Sequence, residues 1–338
     1  MTATRNLTDP GRLADGQDPE AGLKPPVYEA ITIPERFGPV RLQVDDWKIK
    51  RFAFTQDDFG DWYLRGSPFG GRRIGHAALL ANDLLQLFTT QYAASQVVGL
   101  HTEEELWFTG PVFLGQEVVL EGSYVEQFER RGQGHVVMEA TACDTNGNVL
   151  LRHRGVEIMR TVPGSVAGRG SAPASPARRV TGEHDTQLPM AERLQLHIGA
   201  PPGTGLVPLT KEATQEQMSV FSRCGEYVRN IHNDLQIAQQ GGLRVPIVQG
   251  QQQVCWLAEL LTRVFGTAWF RGGWLHCKFL KPVPAMSVVE VGGVVTRSGR
   301  CGTADDASTD LDVWVKLNGM LATVGHARCT PSSSSGRA

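Results

Sequence analysis

The sequence predicts an α+β protein in which two similar units each wrap an antiparallel sheet around one long helix. Three observations support this class: an internal repeat, an amphipathic helix in each repeat, and strand-like segments after each helix. Three pairs of aligned positions lie 170 to 172 residues apart: Trp62 and His232, Pro111 and Pro282, and the Asn-Gly steps at 146–147 and 318–319. Agreement of three pairs on nearly one offset indicates a duplicated unit.

Each unit contains apolar residues that recur at the spacing of a long helix. They are Leu80, Leu84, Leu87, Phe88 and Tyr92 in the first unit, and Val254, Leu257, Leu261 and Val264 in the second. The Asn-Gly steps predict hairpin turns between the strands that follow. In LDVWVKL (311–317), apolar residues alternate with Asp312, Trp314 and Lys316, which predicts one face in the core and the other outside it.

The 338 residues are enough for two domains that each bury a core. A segment rich in Gly, Pro, Ala and Ser divides the chain and is typical of a flexible linker. The predicted divisions are a disordered or extended lead-in at 1–34, a domain at 35–160, the linker at 161–205, a domain at 206–331 and a disordered tail at 332–338.

Composition argues against several classes of protein. The net charge is −2, so we expect no broad basic surface and therefore no nucleic acid or anionic membrane as a partner. No run approaches the ~18 apolar residues of a membrane span, and the polar N-terminus lacks the apolar core of a signal peptide, which predicts a cytoplasmic protein. The six cysteines form no CxxC pair and the histidines lack ligand spacing, so we expect no disulfide frame and no metal.

The most specific motif precedes the second helix. IHND at 231–234 is followed by PIVQG at 246–250, and eighteen residues separate His232 from Gly250. This arrangement resembles the MaoC-like, R-specific enoyl-CoA hydratases (hydratase 2), in which D-x-N-P-(I/L)-H-x-D precedes the helix and P-I-x-H-G begins it. That family has the hot-dog fold. Two such units in one chain resemble its double hot-dog members, and the resemblance covers both predicted domains.

The resemblance also implies a chemistry. In the family, the His and an Asp five residues before it activate a water that adds to a 2-enoyl thioester, and the glycine N–H holds the thioester oxygen. His232 and Gly250 match, but Tyr227 stands where the Asp is expected, with Glu226 beside it. We therefore expect neutral His232 as the base, with Tyr227 or Glu226 as its catalytic partner. The thioester oxygen would bind at Gly250, where a helix begins and free N–H groups point outward.

Other residues near this motif are candidates for substrate binding. Gln249 replaces the histidine of the family's H-G pair, Asn230 replaces its proline, and Asp234 matches its second Asp. Asp234 also fits the N-cap of a helix that begins near residue 235. Glutamines continue the polar run at 251–253, and solvent exposure would explain part of that run.

The first unit retains only parts of the motif. Asp57 aligns with the family's Asp, Trp62 takes the place of its His, and His76 lies in the turn IGHA. A solvated role is the simpler expectation for both Asp57 and Asp58. We therefore expect the second unit to hold the active centre and the first to complete the pocket.

Three functions remain open on these grounds. The first is a lyase that hydrates or dehydrates an enoyl or 3-hydroxyacyl thioester carried on CoA or a carrier protein, with no tightly held cofactor. Because the acidic partner is missing, a biosynthetic dehydratase or cyclase that performs conjugate addition or elimination on a related substrate is an alternative. The third is a non-catalytic acyl-binding subunit of a hetero-oligomer. For an enzyme of this kind we expect a homodimer.

Overall fold

The computed structural model describes residues 20–97, 99–159, 200–222, 229–299 and 308–330. Within them, ten strands form one antiparallel sheet in the order β1-β3-β4-β5-β2-β7-β10-β9-β8-β6. The strands are β1 Glu35–Gln43, β2 Leu100–Phe108, β3 Glu117–Arg130, β4 Gln133–Asp144, β5 Val149–Met159, β6 Leu209–Glu212, β7 Gly273–Phe279, β8 Val288–Ser298, β9 Thr309–Leu317 and β10 Met320–Cys329. The first five belong to the first repeat and the last five to the second.

The seam between the repeats is the antiparallel pairing of β2 with β7. Glu105 lies opposite His276, and these two residues are themselves 171 positions apart. Two equivalent residues that face each other place a local twofold axis between them. The internal repeat predicted from the sequence is therefore present as two pseudo-symmetric halves of one sheet.

Equivalent hydrogen bonds confirm the correspondence of the two halves. They connect the segment before each central helix to the chain between the second and third strand of its half. The pairs are Gly75 N to Val112 O with Val248 N to Val283 O, and Leu114 N to Arg73 O with Ala285 N to Pro246 O. The Asn-Gly turns also agree with the prediction: Asn318 (φ 51°) and Gly319 (φ 75°) both adopt the positive φ that a tight hairpin requires.

Seven α-helices are described, and only one of them is long. They are α1 Asp46–Gln56, α2 Asp61–Leu64, α3 Ala81–Leu85, α4 Gln215–Phe221, α5 Leu235–Gln240, α6 Gly250–Phe265 and α7 Trp269–Gly272. Helix α6 is the long helix predicted for the second unit, and all its residues except Gly250 and Arg263 are buried.

The prediction of a long helix in the first unit is wrong. Helix α3 has five residues and passes into a 3₁₀ helix at Gln86–Thr90. Thr89 and Thr90 hydrogen-bond their own backbone three residues back, and Asn82 donates to Phe221 O in the second half. Side chains of this kind compete with the regular helix for backbone partners. The apolar residues of the pattern are nevertheless buried.

The prediction that only one face of β9 lies in the core is partly wrong. Its inner face lies in the core as predicted, but Asp312 and Trp314 on the other face are also buried, with 1% and 3% of their surface exposed. The Trp314 ring lies over Gly292, where a Cβ would come within 2.7 Å of the indole nitrogen. Most of the predicted linker lies outside the described residues, and the domain boundaries remain predictions. Among the described helices, none is long and apolar enough to cross a membrane.

Candidate active site

The loop that contains His232 is fixed by its own polar side chains. Asn230 Oδ1 accepts from the His232 backbone N–H at 2.8 Å, and Asn233 Oδ1 accepts from the Asn230 N–H. Asp234 caps α5 by accepting from Ile237 N at 3.0 Å and pairs with Arg229 at 2.6 Å. These are the local turns that Asn and Asp favour. The contacts described for Asn230 and Asp234 are structural, and a role for either in substrate binding remains a prediction.

The hydrogen bond of the His232 ring defines which nitrogen is free. Nδ1 lies 2.8 Å from Ile247 O. A carbonyl oxygen only accepts, so Nδ1 carries the proton and Nε2 has the lone pair. Desolvation lowers the pKa of His232 to about 4, against the smaller opposing effect of the bond to Ile247. At neutral pH the ring is therefore an uncharged imidazole, and the lone pair on Nε2 can act as a base.

The amino end of α6 lies close by along the chain. Gly250 is its first residue, three positions after Ile247, and the side chain of the N-cap residue Gln249 makes no capping hydrogen bond. The first N–H groups of a helix have no partner within it and carry partial positive charge. This end of α6 is therefore a place where a developing negative charge would be stabilised.

A ring occupies the space beside Gly250. A Cβ added there would lie 2.9–3.1 Å from three ring carbons of Phe279, closer than real Cβ atoms come. The sequence led us to expect that the glycine admits a thioester. In this structure it admits the Phe279 ring, so a ligand must reach the helix end from another side, or the ring must move.

Gln249 connects this helix end to the first half. Its Nε2 donates to Asn82 Oδ1 at 3.1 Å, and Asn82 Nδ2 donates to Phe221 O at 2.7 Å. Gln249 Oε1 is buried and has no hydrogen-bond partner among the described residues. The Gln249 amide nitrogen therefore makes a structural contact, while its oxygen remains available as a hydrogen-bond acceptor.

The glutamines that follow are buried, and the expectation of partial solvent exposure is wrong. Gln251, Gln252 and Gln253 expose 0%, 0% and 2% of their surface. Gln252 donates to Thr55 O at 2.8 Å, and Gln253 accepts from Thr323 Oγ1 at 2.7 Å. Both halves of the molecule therefore hold the first turn of α6 in place.

A small cleft opens between α1, α3 and α4, with about 30 Å³ of free volume. Its lining is Lys48, Arg51, Phe52, Thr55, Leu79, Asn82, Asp83, Val220 and Phe221. Two lining residues contact the first turn of α6 directly: Asn82 bonds Gln249, and Thr55 bonds Gln252. No residue of α6 lines the cleft, and neither does His232, so Asn82 and Thr55 separate it from the start of α6.

The proposed catalytic partners of His232 cannot be placed beside it. Tyr227 and Glu226 lie at 223–228, outside the described residues. Their pairing with His232 therefore stays a prediction. The described contacts of the His232 side chain and backbone are with Ile247, Asn230 and Gln215, whose Nε2 donates to His232 O at 2.9 Å.

The structure corrects the alignment of the first half. Ile74 N donates to Trp62 O just as Ile247 N donates to Ile231 O. Trp62 therefore corresponds to Ile231, and Tyr63, the next residue, corresponds to His232. The carboxylate five positions before it is Asp58, so Trp62 and Asp57 were each placed one residue early by the sequence alignment.

Asp58 and Tyr63 belong to a buried cluster with His76. Tyr63 donates a hydrogen bond to Asp58, and His76 Nε2 lies 4.0 Å from Asp58 Oδ2. Burial lowers the pKa of His76 to about 4, and its Nδ1 accepts from Ala78 N–H at 3.1 Å. Asp58 is 7% exposed, so the expected solvated role is wrong for it. The five-residue spacing from Asp58 to Tyr63 is the sequence signal that would have found this pair.

Glu259 of α6 adds a further titratable side chain to this cluster. Glu259 lies 2.6 Å from Lys211 Nζ and 2.5 Å from Arg263, and burial, with the Asp58 charge, raises its pKa to about 7. Lys211 also donates to Gln56 O at 2.8 Å, so it connects β6, α1 and α6. Within the part of the chain that the structure describes, no group of three or more potential ligands is arranged to hold a metal.

The sequence matches no family model and no curated protein. Solved structures do match. A MaoC-like dehydratase superimposes with a TM-score of 0.65 at 13% identity, over 90% of this chain and 100% of its own. A Mycobacterium tuberculosis protein described as having a double hotdog fold gives 0.59 at 13% identity, over 90% and 97%. The chain has the double hot-dog fold. A MaoC-like dehydratase from Phytophthora capsici gives 0.58 at 14% identity, over 89% and 97%.

The double hot-dog architecture explains where the candidate residues lie. Each half contributes a loop, a turn and a helix start, and Asn82 and Thr55 of the first half contact Gln249 and Gln252 at the start of α6 directly. In this chain the second half has His232 and the long central helix. The first half has the carboxylate and a short helix. The fold class predicted from the sequence is confirmed.

Proposed function

We propose that this chain is a lyase that hydrates or dehydrates an enoyl or 3-hydroxyacyl thioester. The observation that carries this proposal is the neutral His232 ring, which is oriented by its hydrogen bond to Ile247 O. Ile247 precedes the uncapped amino end of α6 by three residues. The similarity of the fold to MaoC-like dehydratases supports the reaction class.

The chemistry uses two groups of the second half. In hydration, His232 Nε2 takes a proton from water while the water oxygen bonds to the β-carbon. Negative charge then moves to the thioester oxygen, where the N–H groups and dipole at the start of α6 stabilise it. A proton is then delivered to the α-carbon and the product is the 3-hydroxyacyl thioester. Dehydration is the same sequence in reverse.

A proton donor for the α-carbon is still required. We assign this role to Tyr227 or Glu226, whose place in the sequence is that of the family's acidic partner. Protonated His232 is the other group that can return the proton. A phenol with a pKa near ~10 is a usable donor but a poor base, so His232 would remain the base in either case.

The test is hydration of crotonyl-CoA, followed by the loss of absorbance of the conjugated thioester. General-base catalysis contributes about 10²–10⁴-fold, so His232→Ala is expected to lower kcat by that factor. His135→Asn is the matched control, because His135 of β4 stacks on Phe128 of the neighbouring strand β3 in the first half. Equal loss in both variants, or no loss in His232→Ala, would show that His232 is not the base.

One observation favours a non-catalytic acyl-binding subunit as the second candidate. The Phe279 ring covers Gly250 and the cleft is small, so the helix end is closed in this conformation. A silent subunit would be inert towards a panel of enoyl thioesters and would bind a second hot-dog protein. Turnover by the isolated chain would exclude it.

A further inference from the structure

One glutamine at the start of α6 differs from its three neighbours. Each of the other three uses an amide atom in a structural hydrogen bond, which connects Gln249 to Asn82, Gln252 to Thr55 and Gln253 to Thr323. Gln251 exposes 0% of its surface, and neither its Oε1 nor its Nε2 has a hydrogen-bond partner among the described residues. The Gln251 amide is therefore buried without a structural contact of its own.

A buried amide of this kind lowers the stability of the folded chain. It has lost its hydrogen bonds to water on folding, and no bond within the protein replaces them. Such groups are rare in folded proteins, and each one requires a specific explanation, of which use by a ligand is one. Packing alone does not explain Gln251, because an apolar side chain of the same size would fill its place without this loss.

The Gln251 side chain is directed towards the amino end of α6. The Cα–Cβ bonds of a helix tilt towards its N-terminus, so a side chain covers the turn before its own residue. For Gln251 that turn contains Gly250 and the residues just before it. Among these, Ile247 accepts the hydrogen bond that orients the His232 ring. The unpartnered amide therefore points to the segment that orients the proposed base and holds the proposed oxyanion site.

The charged group on this face of α6 is already paired. Gln251 and Cys255 are one turn apart on the same face. Burial, and then the charge of Glu104, raises the pKa of the Cys255 thiol, so this face is turned to the interior near β2. Glu104 itself lies 2.7 Å from His153 and 3.0 Å from His101. Its carboxylate is thus engaged by two imidazoles rather than by the Gln251 amide.

An amide with both polar atoms unpaired matches a group that donates and accepts. Its Oε1 needs a donor and its Nε2 needs an acceptor. A thioester oxygen only accepts, and the N–H groups of the helix start can supply its donors. The hydroxyl of a 3-hydroxyacyl thioester both donates and accepts, and so does the water from which it forms.

We propose that the Gln251 amide binds the hydroxyl of a 3-hydroxyacyl thioester and, in hydration, the attacking water. The inference rests on the proposed function and assigns the hydroxyl subsite of that reaction. Oε1 accepts a hydrogen bond from one O–H of the water, His232 Nε2 removes the other proton, and the water oxygen bonds to the β-carbon. Consecutive Cα atoms are ~3.8 Å apart, which the two carbons between a thioester carbon at Gly250 and a hydroxyl at Gln251 can span.

The test compares the binding of 3-hydroxybutyryl-CoA and butyryl-CoA, which differ only in the hydroxyl. Calorimetry in the His232→Ala background avoids consumption of the hydroxy ligand. We expect the hydroxy ligand to bind about tenfold more tightly, as one or two buried hydrogen bonds would give. Adding Gln251→Met, which keeps the unbranched shape and removes the amide, should abolish this preference and leave the affinity for butyryl-CoA unchanged. A preference that persists in Gln251→Met would overturn the proposal.

Stability gives a readout that a structural role would move in the opposite direction. Loss of an amide without partners should leave the midpoint of urea unfolding unchanged or raise it. Gln253→Met is the matched control, because Gln253 is also buried but accepts a hydrogen bond from Thr323, so its midpoint should fall. An equal fall in Gln251→Met would reveal a structural partner and reject the subsite.

Turnover separates this inference from the proposed function. With crotonyl-CoA, Gln251→Met should lower kcat about tenfold in the otherwise wild-type chain. A hydroxyl preference that depends on Gln251, without any hydration by the wild type, would keep the subsite and reject the lyase. Hydration that is insensitive to Gln251→Met would reject the subsite and keep the lyase. Failure of both thioesters to bind would reject both.

Discussion

Replacing His232 by Asn removes a titrating group while keeping its hydrogen bond. The amide nitrogen of Asn occupies the place of Nδ1 and can donate to Ile247 O, whose distance from Nδ1 is 2.8 Å. The folded protein lowers the pKa of His232 from 6.5 to about 4. The unfolded chain therefore binds more protons between these values, and stability is lost as the pH falls through this window.

The magnitude follows from the size of the pKa shift. A shift of about 2.5 units corresponds to about 3 kcal/mol over the full range, and about 2 kcal/mol of it is lost between pH 7 and pH 5. This is an upper value, because the residue is only half-buried. His76, with a similar pKa, contributes equally in both proteins and cancels in the difference.

Urea unfolding at pH 7 and pH 5 measures the effect. The free energy of unfolding of the wild type should fall more than that of His232→Asn, by up to about 2 kcal/mol. His232→Ala, which also loses the bond to Ile247, should be less stable than His232→Asn at both pH values. An equal acid-dependent loss in wild type and His232→Asn would refute a desolvated, neutral imidazole at this position.

Three further predictions concern the surroundings of α6. Gly250→Ala should destabilise the protein by about 1–3 kcal/mol, because the new Cβ meets the Phe279 ring, and Phe279→Leu should restore most of the loss. A Gly250→Ala variant as stable as the wild type in urea unfolding would contradict this contact. Glu259 has its pKa raised from 4.5 to about 7, so wild-type stability should decline between pH 5 and pH 8 by up to about 2 kcal/mol relative to Glu259→Gln; parallel pH curves in urea unfolding would contradict it. Asn82→Ala leaves Gln249 and Phe221 O without their partner and should cost about 1–3 kcal/mol in the same assay, whereas a loss below about 0.5 kcal/mol would show that the bond contributes little.

Local signals were enough to predict the architecture. The offset of about 171 residues predicted the pseudo-symmetry, which the pairing of Glu105 with His276 displays directly. The Asn-Gly step at 318–319 predicted its hairpin because few residues adopt positive φ in succession. The apolar spacing of 254–264 predicted α6 because a helix in the centre of a domain is apolar on every side that meets the core.

The predictions that failed concern contacts between residues far apart in sequence. Gln251 to Gln253 are polar by composition, yet they are buried because the first half and β10 surround the start of α6. No sequence pattern indicates that the Phe279 ring lies on Gly250. The alignment of Trp62 with His232 failed by one residue, since spacing alone cannot detect a difference in loop length that the hydrogen bonds of Ile74 and Ile247 reveal.

The central claim is that a thioester oxygen binds at the amino end of α6 within reach of His232. A crystal structure with a non-reactive enoyl-CoA analogue tests this most directly. We predict that the thioester oxygen lies about 3 Å from the backbone nitrogen of Gly250 or Gln251, with His232 Nε2 directed at the β-carbon side. An analogue bound elsewhere, with the Phe279 ring still packed on Gly250, would contradict the account.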